Sequence, residues 1–422
     1  MDERGFPLPD EWKWVRLSEV VEFTIKPTGL AFSSPVTFIP MELVPDDRIF
    51  ADDFLLKDNA DVPSGVYCER GDILLPRITP SFENGKQGIV GDIPTNFAYA
   101  TTEVFPLKPS SAIDSLYLFF YLLRSQVRSE LAEKMQGTTG RQRIPKSALA
   151  DLSIPLPPIP RQRAISHSLF AIYEAKVARR KELAMERERK AALVEHLFTY
   201  GTRGESRKQT EIGLIPDSWR IVRLGDVSEF LQYGTSKRCN LDSSGTPVLR
   251  IPNVVGGRID LGDLKYIKLP LSEADGLRLA PGDLIFVRTN GRREYTGRCA
   301  VYEGEPRESL FASYLIRARL QTNILLPKFV QVHTDRPEGR SFLSGRASHA
   351  ADGKFNINSQ TIRAVLVPAP MVIEQQAIVE AVGASDKKLT ALERENQVLD
   401  ELFRALLEEL MMGRLSVVPL QV

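Results

Sequence analysis

Residues 9–20 read PDEWKWVRLSEV and residues 216–227 read PDSWRIVRLGDV, so the same kind of segment opens each half of the chain. Two later pairs keep the same order: GDILLPR at 71–77 matches GDLIFVR at 282–288, and IPLP at 154–157 matches VPAP at 367–370. A period of about half the chain is too long for a solenoid repeat. The sequence therefore predicts a duplicated domain, and two related halves suit a long ligand that presents two sites.

Composition limits the class of protein. The chain has 422 residues, of which 43% are hydrophobic, and this is enough for two to four domains with buried cores. Its first residues lack the apolar stretch of a signal peptide, and no apolar run is long enough to span a bilayer, so we expect a cytoplasmic protein with no membrane partner. Cys68, Cys239 and Cys299 form no C-x-x-C pair, which argues against a structural zinc and favours small buried hydrophobes.

In each half, short β-type runs punctuated by Gly, Pro, Asn and Asp are followed by one long helix. In the first half a single helix is expected from about 115 to 135, and the prolines of 155–160 predict an extended segment. The charged, proline-free stretches 161–200 and 374–412 predict the two long helices. The fold class is therefore α+β, with two duplicated domains of mixed, β-rich core and two long helices. The predicted boundaries are 1–158 for the first domain, 159–205 for the first long helix, 206–372 for the second domain, 373–415 for the second long helix and 416–422 for a tail.

Apolar residues recur at heptad spacing along the long helices, which is the pattern of a coiled-coil seam. Equal windows carry opposite charge: residues 161–200 hold nine Lys or Arg and five Asp or Glu, whereas residues 374–413 hold four and nine. Opposite charge beside an apolar seam favours pairing of the two helices with each other, so we expect an antiparallel intramolecular coiled coil. The alternative is that each helix packs separately on its own domain. The predicted seam residues are Ile165, Leu169, Ile172, Leu183, Leu193, Leu197, Ile378, Val382, Leu389, Leu392, Leu399, Phe403, Leu406 and Leu410.

The sequence lacks the usual signatures of an enzyme. It has no G-x-x-x-x-G-K-[ST] phosphate loop, no G-x-G-x-x-G after a strand and no Asn-Pro-Pro or Asp-Pro-Pro segment of an adenine methyltransferase. The four histidines are scattered and none has metal-ligand spacing, so neither a metal nor a cofactor is expected. Residues 9–13 superficially contain the Pro-Asp and Glu-x-Lys pieces of a metal-dependent nuclease. Those pieces are contiguous here and cannot converge, and 216–220 lacks the Glu and the Lys.

Clusters of Arg, Lys, Asn, Gln, Ser, Thr and Gly lie beside the repeated strands, at matched places in both halves. Such side chains suit DNA, because Arg and Lys neutralise phosphate or bind guanine and Asn and Gln reach adenine. Any one cluster alone is more simply explained as a solvated turn, whereas recurrence in both halves favours a function. The candidate DNA-binding residues are Arg77, Thr79, Lys86, Gln87, Thr138, Thr139, Arg141, Arg143, Tyr233, Thr235, Ser236, Lys237, Arg288, Thr289, Asn290, Arg292, Arg293, Ser348, His349, Lys354 and Asn356.

These features together resemble the specificity subunits of Type I restriction-modification systems. The resemblance rests on the doubled Pro-Asp-x-Trp segments, the doubled Gly-Asp strands, YGTSK at 233–237, and RQRAI at 161–165 matched by EQQAI at 374–378. It implies two target-recognition domains separated by two long helices that pair antiparallel, without catalytic activity. Lys176, Arg179, Glu186 and Lys190 depart from an apolar seam and leave the pairing open in the middle of the first helix.

The same resemblance implies the partners. Each domain would recognise one half of a bipartite double-stranded DNA target, and the helices would set the gap between the halves. Methylation (M) subunits would dock on the chain and supply adenine methylation, and a restriction and translocation (R) subunit would join through them. Two alternatives are the recognition subunit of a Type II-like methyltransferase and nuclease, and a standalone DNA nuclease.

Overall fold

The computed structural model describes residues 7–30, 35–58, 65–138, 140–351 and 353–417. The chain divides into two compact units. Unit 1 comprises Met1–Leu183 and Ala391–Val422, and unit 2 comprises Ala184–Thr390. Each unit therefore contains one copy of the duplicated domain together with parts of both long helices. Among the described residues, no helix is both long and apolar enough to cross a membrane.

Unit 1 contains a five-stranded sheet, ordered β2-β10-β7-β8-β4, and a four-stranded sheet, ordered β5-β3-β9-β6. Two small antiparallel pairs, β1-β13 and β11-β12, complete its strands. The strands are β1 (Lys13–Arg16), β2 (Val21–Phe23), β3 (Val36–Ile39), β4 (Phe50–Ala51), β5 (Leu55–Lys57), β6 (Val66–Glu69), β7 (Ile73–Pro76), β8 (Gly88–Val90), β9 (Phe97–Ala100), β10 (Val104–Pro109), β11 (Gln136–Thr138), β12 (Arg141–Arg143) and β13 (Ser153–Leu156). The helices are α1 (Leu17–Val20), α2 (Ser115–Leu122), α3 (Ser125–Glu133), α4 (Lys146–Ala150) and α5 (Ile159–Tyr200).

The prediction of one helix from 115 to 135 was wrong. Helix α2 ends at Leu122 and α3 begins at Ser125, because Arg124 between them takes an extended backbone conformation with ψ of 136°. Asp114 begins α2 by accepting a hydrogen bond from the Tyr117 amide at 3.0 Å. Residues 117–122 of α2 are all buried, so this helix lies in the core of unit 1.

The prediction that residues 155–160 are extended also needs correction. Strand β13 ends at Leu156, and α5 already begins at Ile159 with Pro160 in its first turn. Proline is tolerated there because the amides of the first helical turn have no partner within the helix. The proline-rich segment is thus a strand that turns directly into the long helix.

Unit 2 repeats this plan with a four-stranded sheet, β17-β26-β22-β24, and two three-stranded sheets, β21-β18-β25 and β23-β28-β27. Its strands are β14 (Arg207–Thr210), β15 (Gly213–Pro216), β16 (Arg220–Arg223), β17 (Ser228–Tyr233), β18 (Thr246–Leu249), β19 (Val254–Val255), β20 (Arg258–Ile259), β21 (Lys265–Ile267), β22 (Leu284–Val287), β23 (Thr289–Asn290), β24 (Cys299–Val301), β25 (Leu310–Phe311), β26 (Leu315–Leu320), β27 (Ser348–His349), β28 (Phe355–Asn356) and β29 (Leu366–Ala369). The helices are α6 (Leu271–Leu277), α7 (Pro327–Asp335), α8 (Pro337–Gly345), α9 (Ser359–Arg363) and α10 (Val372–Met411).

The same pattern of backbone hydrogen bonds occurs within each unit, at positions that correspond in the repeated sequence. In unit 1, β1 pairs antiparallel with β13 and the Leu17 amide donates to the Leu152 carbonyl at 2.8 Å. In unit 2, β16 pairs antiparallel with β29 and the Leu224 amide donates to the Val365 carbonyl at 2.8 Å. In each copy, the strand after the Pro-Asp-x-Trp segment therefore pairs with the strand that leads into a long helix.

A buried glutamine ties the start of each long helix to its domain. The Gln162 side chain donates to the carbonyls of Ala112 and Pro157 and accepts from the Asp114 amide, all at 2.8–3.0 Å. Gln375 repeats this pattern, donating to Ile324 and Pro370 and accepting from Leu326. Both glutamines are fully buried with their amide groups satisfied, so each anchors a helix to the adjoining loop.

A glycine with positive φ ends each long helix against a Pro-Asp-x-Trp segment. Gly201 has a φ of 66°, and a Cβ there would lie 3.2 Å from Pro216. Gly413 has a φ of 69°, and a Cβ there would lie 2.7 Å from Pro9. Any larger residue would meet both backbone strain and steric conflict. The end of α5 thus packs on the first segment of the second domain, and the end of α10 packs on that of the first.

The long helices contact each other within each unit. In unit 1, Lys176 lies 2.8 Å from Asp400, Arg179 lies 3.1 Å from Glu395, and the Tyr173 and Phe403 rings are 5.7 Å apart. In unit 2, Lys190 pairs with Asp386 at 2.5 Å and Lys388 with Glu186 at 3.2 Å. Of the predicted seam residues, one set is buried: Ile165, Leu169, Ile378, Val382, Leu392, Phe403 and Leu410. The others are half-buried: Ile172, Leu183, Leu193, Leu197, Leu389, Leu399 and Leu406.

Candidate nucleic-acid interface

In unit 1 the polar segment that follows β7 pairs with the β11-β12 hairpin. The Arg77 carbonyl accepts from the Ile144 amide at 2.8 Å, and the Thr79 amide donates to the Gln142 carbonyl at 3.0 Å. Ile78 also forms an isolated bridge with Arg143. Two polar clusters that lie about sixty positions apart in sequence thus form one surface of the first domain.

Unit 2 makes the equivalent arrangement after β22. The Arg288 carbonyl accepts from the Ile357 amide at 3.0 Å, and β23 pairs with β28 so that Thr289 faces Asn356. Strand β27 then continues this small sheet. In both units, the segment at the end of the repeated Gly-Asp strand is therefore held against a two-stranded ribbon.

The tips of both ribbons carry exposed polar side chains. In unit 1, Thr138 and Arg141 are exposed, and Thr139 lies outside the described residues. In unit 2, Ser348, His349 and Lys354 are exposed. A two-stranded β-ribbon fits the width of the DNA major groove, so the shape and the side chains agree.

The third predicted cluster joins the unit 2 surface in part. The Tyr233 hydroxyl accepts a hydrogen bond from the Ser359 amide at 3.0 Å, and the Arg288 guanidinium lies 5.0 Å from the centre of the Tyr233 ring. Ser236 is exposed, whereas the exposed Lys237 is ion-paired with Glu273 at 2.6 Å. Thr235 is buried, and its hydroxyl accepts from the Lys237 amide.

Arg292 and Arg293 lie on an exposed turn beside the ribbon of unit 2. Arg293 donates to the carbonyls of Ser344 and Gly345 at 3.0 Å, at the end of α8. The Arg292 guanidinium lies 6.0 Å from the Tyr295 ring, and its amide donates to the Asn290 side chain at 3.0 Å. Arg292 therefore has the freer guanidinium of the two.

Three candidate residues are occupied inside their own domain and do not line the surface. Gln87 is buried and donates to the Phe119 carbonyl at 2.7 Å. Lys86 donates to the carbonyls of Met41 and Val44 at 3.0 and 3.1 Å. The Thr289 hydroxyl is buried and donates to the Asn356 side-chain oxygen. The polar composition of the sequence predicted that these three residues lie on the surface, whereas their side chains form hydrogen bonds within their own domain.

Comparison with known proteins identifies the type of domain. Residues 9–185 match the family model of the Type I restriction modification DNA specificity domain. The EcoKI specificity subunit of Escherichia coli is 26% identical over 285 residues, which cover 65% of this chain and 59% of that protein. The MjaVIII specificity subunit of Methanocaldococcus jannaschii is 21% identical over 433 residues, which cover 98% of this chain and 95% of that protein. The first half of the chain thus matches a Type I restriction modification DNA specificity domain, and the chain is similar to Type I specificity subunits over most of its length.

The extent of the matches differs between the relatives. The first three curated relatives are covered over 48%, 59% and 28% of their own length, so the chain spans about half the length of the curated relatives it matches. A crystal structure of the Type I S subunit from M. genitalium aligns with a TM-score of 0.58 at 14% identity, covering 96% of this chain and 98% of that one. This likeness supports the overall fold.

Two positions on this surface, Glu103 and Tyr314, do not belong to the predicted polar clusters. The Arg77 amide donates to the Glu103 carbonyl and the Arg288 amide donates to the Tyr314 carbonyl, both at 2.9 Å, so Glu103 and Tyr314 are equivalent. Each residue directly precedes a repeated strand, β10 or β26, and aligning the two halves there would have drawn attention to them. Hydrogen bonding to Arg143 lowers the pKa of Glu103, and the same contact raises the pKa of Arg143. The side chain of Tyr314 is 53% exposed.

Proposed function

We propose that this chain is the DNA-recognition subunit of a Type I restriction-modification complex and that each domain recognises one half of a bipartite target. The observation that carries the proposal is the equivalent ribbon in the two units. The same backbone hydrogen bonds hold it in both, whereas the side chains differ: Glu103 corresponds to Tyr314, and Arg143 corresponds to Asn356. A common scaffold with different polar groups is what two different half-sites require.

The proposed contacts are the members of the predicted set that remain when two groups are set aside. The first group is buried or engaged within its own domain and comprises Lys86, Gln87, Thr235, Lys237, Thr289 and Arg293. The second is Thr139, which lies outside the described residues. Arginines and lysines of the ribbons would neutralise phosphates or donate hydrogen bonds to guanine. Hydroxyl and amide groups would form hydrogen bonds with base edges or with the DNA backbone. The proposed DNA-contacting residues are Arg77, Thr79, Thr138, Arg141 and Arg143 in unit 1, and Tyr233, Ser236, Arg288, Asn290, Arg292, Ser348, His349, Lys354 and Asn356 in unit 2.

The two long helices are proposed to form an antiparallel intramolecular coiled coil that sets the gap between half-sites. The support comes from the polar residues that interrupt the seam of α5. In unit 1, Lys176 and Arg179 pair with Asp400 and Glu395, and in unit 2 Glu186 and Lys190 pair with Lys388 and Asp386. Rising residue numbers on α5 meet falling numbers on α10 in each unit. Charged seam residues matched in this way favour one register over others.

The proposed partners are methylation subunits that dock on this scaffold and, through them, the restriction subunit. The chain itself would recognise DNA without catalysing a reaction. Among the described residues, no group of His, Cys, Asp and Glu could hold a metal ion. Recovery of the methylation subunits together with an ATP-dependent translocase would support a Type I complex. Recovery with a single partner that combines methylation and cleavage would favour the Type II-like alternative.

Selection of binding sites from random DNA tests the recognition function. The full chain, purified with its methylation partners, should enrich a motif of two short words separated by a constant gap. Arg288→Ala should weaken selection of one word and leave the other unchanged, whereas Arg141→Ala should affect only the other word. Loss of both words in either variant, or no enriched motif for the wild type, would contradict the proposal.

Removal of one heptad from both helices tests the spacer. The enriched words should remain the same while the gap between them shortens. An unchanged gap would show that the long helices do not set the distance between the two half-sites.

A further inference from the structure

One ion pair on the ribbon of unit 1 has a specific geometry. The Nε and Nη2 atoms of Arg143 donate to the carboxylate of Glu103 over 2.6–3.2 Å, so one edge of the guanidinium faces the carboxylate. The two residues are forty positions apart and come together through the pairing of 77–79 with the ribbon. The pair is part of the same surface as the exposed Thr138 and Arg141.

The second edge of this guanidinium stays available. A guanidinium has five N–H groups in a fixed plane, and the Nε–Nη2 edge uses only some of them. No hydrogen bond from Nη1 of Arg143 exists within the described residues, and the Arg143 side chain is 41% exposed. Glu103 therefore orients a planar donor whose Nη1–Nη2 edge points away from the carboxylate and can reach a ligand.

We propose that Arg143, oriented by Glu103, donates from its Nη1–Nη2 edge to O6 and N7 of a guanine, so that the half-site of the first domain contains a G·C pair opposite the ribbon. This inference rests on the proposed recognition function and names the base at one position. Arginine bidentate to guanine is the most common specific contact in the major groove, and the two acceptors of guanine match the spacing of the two donors.

A guanine fits this pair better than a phosphate does. The Glu103 carboxylate largely cancels the charge of Arg143, which weakens the long-range attraction to a phosphate that charge neutralisation would otherwise supply. Holding the guanidinium in one plane instead reduces the entropy lost when a directional contact forms. The ion pair therefore lowers the affinity for phosphate and favours a directional contact with a base.

Unit 2 lacks this device at the equivalent positions. Tyr314 replaces Glu103 and Asn356 replaces Arg143, and the Asn356 side-chain oxygen already accepts from Thr289. Arg288 stacks near Tyr233 instead and donates to the Ser313 carbonyl at 3.2 Å. The guanine assigned by this ion pair therefore belongs to the half-site of the first domain.

Site selection with variants of the full chain and its methylation partners tests the inference. The wild type should enrich a guanine at one fixed position of one word. Arg143→Ala should leave that position without preference, whereas Arg143→Lys and Glu103→Gln should each reduce the preference, because lysine lacks the planar guanidinium edge and glutamine lacks the carboxylate that orients it. Arg141→Ala is the matched control on the same ribbon and should lower affinity while the guanine preference persists.

Base substitution provides a readout that needs no variant. Replacing that guanine by 7-deazaguanine, which lacks the N7 acceptor, should weaken wild-type binding about tenfold, the lower part of the range for a lost bidentate base contact. The same substitution should not weaken binding by Arg143→Ala any further. A wild-type word without guanine at any position that Arg143 variants alter, or equal sensitivity of wild type and Arg143→Ala to 7-deazaguanine, would overturn the inference. Failure of the wild type to enrich any motif would instead reject the recognition function itself.

Discussion

Arg124 and Glu408, 284 positions apart in the chain, form a buried ion pair in which Nε and Nη2 of the arginine donate to one carboxylate oxygen at 2.9 and 2.7 Å. The Arg124 side chain is 1% exposed and that of Glu408 is 17% exposed. The equivalent pair in unit 2 joins Arg336 to Glu195 at 2.9 Å. In both units, an arginine between two consecutive helices, α2 and α3 or α7 and α8, holds a glutamate near the end of a long helix.

The unit 1 pair should contribute more stability than the unit 2 pair. Arg124→Ala leaves a largely desolvated carboxylate without its partner, so we expect a loss of about 3 kcal/mol in the free energy of unfolding. Arg336→Ala should cost about 1 kcal/mol, because the Glu195 side chain is 56% exposed and water can replace the partner. Urea titration followed by hydrogen exchange of peptides from each unit would measure both. Equal losses would show that burial does not set the difference.

Asn396 is a polar residue in the buried seam of unit 1 and should reduce stability. Its Nδ2 donates to the Leu392 carbonyl at 2.9 Å, while no described residue donates to its Oδ1 atom, which is buried. Asn396→Leu should raise the free energy of unfolding of unit 1 by about 1 kcal/mol, because an unsatisfied buried acceptor is removed. Gln397→Leu, at the neighbouring exposed position, is the control and should change stability little. A lower melting temperature for Asn396→Leu would mean that the asparagine stabilises the helix pair.

His333 should make unit 2 sensitive to acid. Burial lowers the pKa of this imidazole to about 4, and its Nε2 donates to the Leu366 carbonyl at 2.9 Å. The unfolded chain takes up a proton near pH 6.5 and the folded unit only near pH 4, so folding stability is lost as pH falls from 6.5 to 4. The expected loss is about 3 kcal/mol, and it follows from the difference between the two pKa values.

A variant separates this effect from other acid-sensitive groups. His333→Gln can still donate to Leu366 but does not titrate in this window. Its unfolding free energy, measured by urea titration between pH 4 and 7, should fall less steeply than that of the wild type. Parallel curves for the two proteins would assign the acid sensitivity elsewhere.

Gln87 should matter for stability and not for base selection. Gln87→Ala removes a buried donor to the Phe119 carbonyl and an acceptor of the half-buried Arg128, so we expect a loss of about 2 kcal/mol in the stability of unit 1. The enriched DNA words should be those of the wild type. Arg141→Ala should show the opposite behaviour, with weaker DNA binding and nearly unchanged unfolding. A change in the enriched DNA word caused by Gln87→Ala would show that Gln87 contributes to base selection.

The predicted clusters and the surface agree in part. Arg77, Thr79 and Arg143 were chosen from composition and repetition alone, and the structure brings them together, as it does Thr289 and Asn356. Composition could not separate Arg141, which is exposed, from Gln87, which is buried, because both lie in polar, glycine-containing stretches of sequence. It also passed over Glu103, since a lone carboxylate before a strand carries no local pattern.

The amino-acid sequence by itself determined the duplication and the two long helices. These features depend on the order of short motifs and on the periodicity of apolar residues, both of which can be read from residues close together in sequence. Only the tertiary structure decided which polar groups meet: Glu103 with Arg143, Arg124 with Glu408, and Gln162 with the loop before α2. Such contacts join residues that are tens to hundreds of positions apart. Their partners are determined by how whole helices and strands pack, because each polar group that becomes buried must also find a hydrogen-bond partner.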